Sequence, residues 1–174
     1  MDDKEREKVI AILSEGHDVF LKSLAGISNG NGRRSPAEGR WSILQCVEHI
    51  AVAEEYLLAQ INKATTATDA VHIPPGRERI ILRRGSDRTK PVESPDPGKP
   101  RGQYFTVEEA VHAFHSARQR TLQFVNSCEG DLRGMITTHP LLGPANCQEM
   151  LLLIAVHPLR HAKQVIEIRS ALGL

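Results

Sequence analysis

Met150-Leu151-Leu152-Leu153-Ile154-Ala155-Val156-His157-Pro158-Leu159-Arg160-His161-Ala162-Lys163-Gln164-Val165-Ile166-Glu167-Ile168 closes most of the C-terminal part of the chain. Met150, Ile154, His157, His161, Val165 and Ile168 recur at spacings of three and four, which places them on one face of a helix. Two imidazoles therefore stand where core residues belong. A buried imidazole left without a partner costs about 1–3 kcal/mol, so the pair requires hydrogen bonds, a charge partner or a metal. Asn146 with Glu149 forms a cap pair that starts this helix, and it runs to about Ala171, just before Gly173. Pro158 has no N–H for the carbonyl of Ile154, so the helix is expected to bend or loosen there.

Working back toward the N-terminus, Thr106 and Glu109 form a capping box, followed by Val107, Val111, Phe114, Arg118, Leu122 and Val125 at helical spacing. This predicts a helix from Val107 to Ser127, then a loop from Gly130 to Pro144. Ser42 and Gln45 form another capping box, and Cys46, His49, Ile50, Ala53, Leu57 and Ile61 continue a second helix that ends in the Ala64–Asp69 region. Val9, Ile12, Leu13, Gly16, Phe20 and Leu24 define the first helix, from about Asp3 to Leu24, and Asn29 to Pro36 reads as a surface loop. Thr65 to Phe105 is rich in Pro, Gly, Arg and Asp, and only the stretch from Arg79 to Arg83 suggests a short helix. A connection of that length is uncommon within a compact domain, and its extended reach is enough to span a bundle from end to end.

No strand-like alternation extends beyond a few residues, so the chain reads as all-α. The predicted architecture is a four-helix bundle with a long crossover connection between its second and third helices. The 174 residues fit a single domain, 1–174. With 22 Lys and Arg against 21 Asp and Glu, the charge balance points away from nucleic acid and from an anionic membrane surface. The charged start, Met1 to Glu7, and the absence of a long apolar run read as a soluble cytoplasmic protein. Cys46, Cys128 and Cys147 are odd in number and lack a CxxC pair, so they read as reduced thiols rather than a disulfide framework or a thiolate zinc site.

Three segments together resemble the DinB-like superfamily of metal-dependent helical-bundle enzymes: Gly39-Arg40-Trp41-Ser42-Ile43-Leu44-Gln45-Cys46-Val47-Glu48-His49-Ile50, His139-Pro140-Leu141-Leu142-Gly143-Pro144, and His157-Pro158-Leu159-Arg160-His161-Ala162-Lys163-Gln164. The Arg118 to Thr121 stretch is similar as well. The resemblance implies a metal, zinc or nickel, held by His49, His157 and His161. It also implies a homodimer and a small-molecule substrate. Some relatives, the bacillithiol S-transferases and mycothiol-dependent isomerases, use a low-molecular-weight thiol. A thiol-dependent transferase is the activity this implies; metal-assisted hydrolysis of a small substrate is the alternative, and a noncatalytic metal-binding or structural module the second.

Several residues keep two readings. Gln164, one turn past His161, either orients a ligand or is an ordinary exposed helix residue. Arg118 either binds an anionic substrate or forms a structural ion pair. Cys46 is left out of the site as a small buried hydrophobe. The segment from Arg77 to Arg101, with Arg77, Arg79, Arg83, Arg84, Arg88, Lys90, Lys99 and Arg101 against Glu78, Asp87, Glu93 and Asp96, is a lid over an acidic small molecule or a solvated or dimer-covering loop. Of His17, His72, His112, His115 and His139, only His139 falls in a loop that leads toward the site.

Overall fold

The computed structural model describes residues 1–67, 72–89 and 92–174. Four long helices dominate: α1 (Asp3–Ser23), α3 (Ile43–Asn62), α5 (Val107–Ser127) and α6 (Cys147–Leu172). Two short ones, α2 (Asn29–Gly32) and α4 (Arg77–Arg84), and a 3-10 turn over Asp96–Gly98 lie in the connections. Asn29–Gly32 thus corrects the expectation of a plain loop: Ser28 accepts from the Asn31 amide and winds a single turn. Capping boxes start α3, α5 and α6, at Ser42/Gln45, Thr106/Glu109 and Asn146/Glu149. Gly173, in the left-handed conformation, stops α6.

A three-stranded antiparallel sheet corrects the expectation of an all-helical chain. Strand β1 (Thr65–Thr66) pairs with β2 (Met135–His139), which pairs with β3 (Gly143–Asn146) in the register Ile136–Asn146, Thr137–Ala145, Thr138–Pro144 and His139–Gly143. The supposed Gly130–Pro144 loop is mostly this hairpin. Its sequence hid it because β3 contains Gly and Pro and is too short for a period of two to register; Pro144 is tolerated because β3 is an edge strand.

The core is divided along the bundle. Val9, Leu13, Leu57, Ile61, Val125, Met150, Leu151 and Ile154 fill one end. Phe20, Ile43, Val47, Ile50, Phe114, Val165 and Ile168 fill the other, where the rings of Phe20 and Phe114 meet edge to face at 5.5 Å. Between the two apolar regions is a buried polar layer. Arg118 of α5, 2 % exposed, donates to Glu54 Oε2 of α3 at 2.8 Å and to the Leu13 carbonyl of α1 at 2.7 Å. Its Nη2 also lies 3.5 Å from the Ile154 carbonyl of α6. Thr121 donates to the other Glu54 oxygen at 2.7 Å. Burial pushes the Glu54 carboxyl up, and Arg118 and Thr121 pull it back down. The Ile154 carbonyl is the one that Pro158 deprives of its helical donor, and α6 runs uninterrupted through Pro158 where a loosening was expected.

Gly16 lets α1 reach this level. A Cβ there would collide with the Ala155 carbonyl and lie 3.9 Å from Pro158 Cβ. Alanine favours an isolated helix over glycine by about 1 kcal/mol, yet Gly16→Ala is expected to destabilise the protein by about 1–3 kcal/mol, because two packed backbones must separate. Denaturant unfolding of the variant beside the parent protein checks the sign; an unchanged or raised midpoint would contradict this packing.

Candidate metal centre

His49 comes from the middle of α3, and His157 and His161 come from consecutive turns of α6. The structure brings the three together: one ring nitrogen from each lies within 4.8 Å of the others. His157 Nε2 is 3.2 Å from His49 Nε2 and 2.9 Å from His161 Nε2. The ring centroids are 4.5–4.9 Å apart. His49 and His161 are buried and His157 is half-buried.

The outer nitrogens fix the proton positions. His49 Nδ1 donates to the Gly98 carbonyl at 2.5 Å, and His161 Nδ1 donates to Gln164 Oε1 at 2.9 Å. In the neutral rings both Nε2 atoms therefore carry a lone pair and no proton. Both lone pairs face His157 Nε2, which can donate to only one of them. Loss of hydration lowers the His49 pKa to about 4, partly offset by the Gly98 bond. Burial, then the charge of the neighbouring histidines, holds His157 and His161 well below the ordinary 6.5, with Arg160 adding positive potential at His157 and Arg88 at His161. The set is thus three neutral imidazoles converging with too few protons to link them. A tetrahedral zinc shell with Zn–N near 2.0–2.1 Å sets its nitrogens roughly 3.3 Å apart, close to the spacings found here. The donor set fits a divalent transition metal.

The surroundings sort the remaining sequence candidates. Trp41, just before the α3 cap, packs its ring 4.9 Å from His49 and 6.4 Å from His161. Gln164 is buried and bonded to His161, so of its two readings the orienting one has a contact behind it. Arg118 lies in the polar layer with Glu54, which is its structural reading. Cys46 is fully buried, with its thiol pushed up to about 12 by burial. His139 uses Nδ1 to accept from the Leu141 and Leu142 amides, closing the β2–β3 turn.

The basic connection supplies the Gly98 carbonyl over His49, while Arg88 pairs with Glu167 at 3.1 Å. Lys90 lies outside the described residues. Sequence reasoning missed Gly98 and Glu48. Neither belongs to a local pattern, and Gly98 reaches His49 across 49 positions of chain.

A family model described as the DinB superfamily matches residues 12–165. Among solved structures, TT2238, a four-helix bundle protein, is similar with a TM-score of 0.60 and 18% identity, covering 93% of this chain and 98% of that one. YfiT from Bacillus subtilis, described as a probable metal-dependent hydrolase with an unusual four-helix bundle topology, also gives 0.60, at 13% identity, covering 99% of this chain and 90% of that one. At these identities the structural likeness bears on the fold. No curated protein matches the sequence. The family match takes in the second half of α1, the α3 and α6 histidines and the hairpin, and on that evidence the chain belongs to the DinB superfamily.

Proposed function

We propose that this protein is a metal-dependent enzyme in which His49, His157 and His161 hold a divalent transition metal, zinc or nickel, and that residues 1–174 act as one domain. The observation that carries the reading is the convergence of three neutral imidazole nitrogens, with the outer nitrogens of His49 and His161 already committed to Gly98 and Gln164. A bound metal supplies Lewis acidity, which makes water or a thiol nucleophilic near neutral pH. The chain's own contribution is orientation and field. Gly98 and Gln164 hold two rings from behind, and Trp41 packs against both. Arg88 and Arg160 raise the positive potential around the histidines, which favours a substrate that carries or develops negative charge.

Metal-dependent hydrolysis is the activity favoured by the YfiT likeness, with a small ester or amide as the proposed substrate class. Thiol-dependent transfer, with a low-molecular-weight thiol as cosubstrate, is the second reading, carried over from the thiol-using relatives that the family resemblance implies. A long crossover between α3 and α5 belongs to this proposal. It is supported by β1 pairing with Met135 and Ile136 just past α5, while Val107, which opens α5, donates its amide to Asn29 Oδ1. The connection passes the histidines at Gly98. The homodimer implied by the family resemblance is retained as part of the same reading.

Elemental analysis of tag-free protein is expected to find about one equivalent of transition metal, lost in the His157→Ala/His161→Ala variant while its helical circular dichroism persists. Full metal retention in that variant would remove the assignment. With zinc- or nickel-loaded protein, turnover of a panel of small esters without thiol is expected, and it should vanish in His157→Ala; turnover that appears only with added thiol would assign the transferase reading instead.

The chelated protein is expected to lose stability as the pH falls from 6.5 toward 4. In this window unfolded histidines bind protons that the buried ones do not, so the unfolding free energy rises with pH. The stability is complete above 6.5 and lost as the pH falls through the folded value of about 4, which for His49 amounts to roughly 3 kcal/mol. Denaturant midpoints at pH 7 and pH 5 should therefore separate more for the parent protein than for the His157→Ala/His161→Ala variant.

A further inference from the structure

Glu48 precedes His49 on α3 and is 1 % exposed, yet among the described residues it makes no ion pair. Its carboxylate is taken up by main chain: Oε1 accepts from the amides of Arg101 at 2.7 Å and Gln103 at 3.1 Å, and Oε2 accepts from Gly102 at 3.1 Å. Gly102 has a φ of 75°. That left-handed residue lets three successive N–H groups converge on one anion. Charge-assisted bonds of this kind are roughly twice as strong as neutral ones.

The same strap carries Gly98, whose carbonyl accepts from His49 Nδ1 at 2.5 Å. The approach is close: a Cβ at Gly98 would lie 3.2 Å from Ser94 Oγ and 3.4 Å from His49 Cε1. Two adjacent helix residues thus hold one short strap at two points. If the strap moves away, His49 loses the acceptor that keeps its proton on Nδ1, and its Nε2 is free to take the proton and lose its lone pair.

We propose that Glu48 is a positioning residue: by clamping the 101–103 backbone it keeps the Gly98 carbonyl on His49, and so fixes that ring as the Nδ1–H tautomer with Nε2 turned to His157 and His161. The consequence for metal affinity rests on the three-histidine reading above; the consequence for the tautomer does not.

Glu48→Gln keeps the side-chain shape but sets an NH2 donor against backbone donors. The comparison variant is Glu109→Gln. Glu109 also accepts from backbone amides at the end of this connection, those of Phe105 and Thr106, and among the described residues it hydrogen-bonds to no histidine. Long-range 15N–1H spectra of the chelated proteins report the His49 tautomer directly. The parent protein and Glu109→Gln are expected to show Nδ1 protonated, and Glu48→Gln a mixture or the Nε2–H form. Zinc affinity, from chelator competition, is expected to fall about 10–100-fold in Glu48→Gln and to hold in Glu109→Gln.

Gly102→Ala covers the case in which Glu48→Gln does not fold. A Cβ at 102 meets nothing within 4 Å, so the variant acts only by straining the clamp, and it should shift the tautomer the same way. An unchanged tautomer and zinc affinity in the folded clamp variants would overturn the proposal. A parent protein that binds no zinc would remove the three-histidine reading, and the tautomer spectra would still decide the role of Glu48.

Discussion

Pro158 takes an N–H out of the middle of α6, and the bundle is organised around the carbonyl it strands. A buried backbone acceptor without a donor costs about 1–3 kcal/mol, and Arg118 reaches across from α5 toward it. An arginine brought so deep needs a carboxylate, and Glu54 of α3 provides one, itself held by Thr121. Its Nη1 donates to the Leu13 carbonyl of α1. Each of the four long helices therefore contributes a group to one buried layer. Removing one partner from such a pair costs about 3–5 kcal/mol, which makes this level the least negotiable part of the packing. Gly16 belongs to the same constraint, since α1 comes close to α6 beside Pro158 only without a side chain.

The histidine site adjoins that layer along α3 and α6. His157 immediately precedes Pro158, and the uninterrupted helix carries His161 one turn further on the same face. From the opposite side α3 brings His49 five residues before Glu54, so the helix anchored by the ion pair also delivers the third imidazole. The rings of His49 and His161 are then held from outside by Gly98, Gln164 and Trp41. Three neutral nitrogens facing inward would be an unfavourable arrangement were the scaffold free to relax away from it.

What the sequence disclosed was whatever is local. The caps at Ser42, Thr106 and Asn146 are each a side chain meeting an amide three residues away, and all three stand where the sequence placed them. The long helices followed from apolar spacing, and the histidine face from His157 and His161. The hairpin escaped because Gly143-Pro144-Ala145-Asn146 looks like a turn and pairs only through its partner strand. The role of Arg118 could be narrowed but not settled, because its partners lie 64 and 105 positions away. Glu48 gave no signal at all. A carboxylate beside a core histidine looks like an ordinary helix residue until the strap that it holds is seen.

The way Glu48 holds its strap has a bearing on how this site can diverge. The clamp reads only main-chain amides at Arg101, Gly102 and Gln103, and the outer bond to His49 comes from the carbonyl of Gly98. Side-chain identity at 101 and 103 is therefore not part of the fastening, while the two glycines are fixed by backbone geometry and close approach. Mutational drift can alter the side chains along this strap without moving the imidazole that Gly98 holds. A scaffold fastened in this way can change its exposed side chains while conserving the geometry of the three imidazoles.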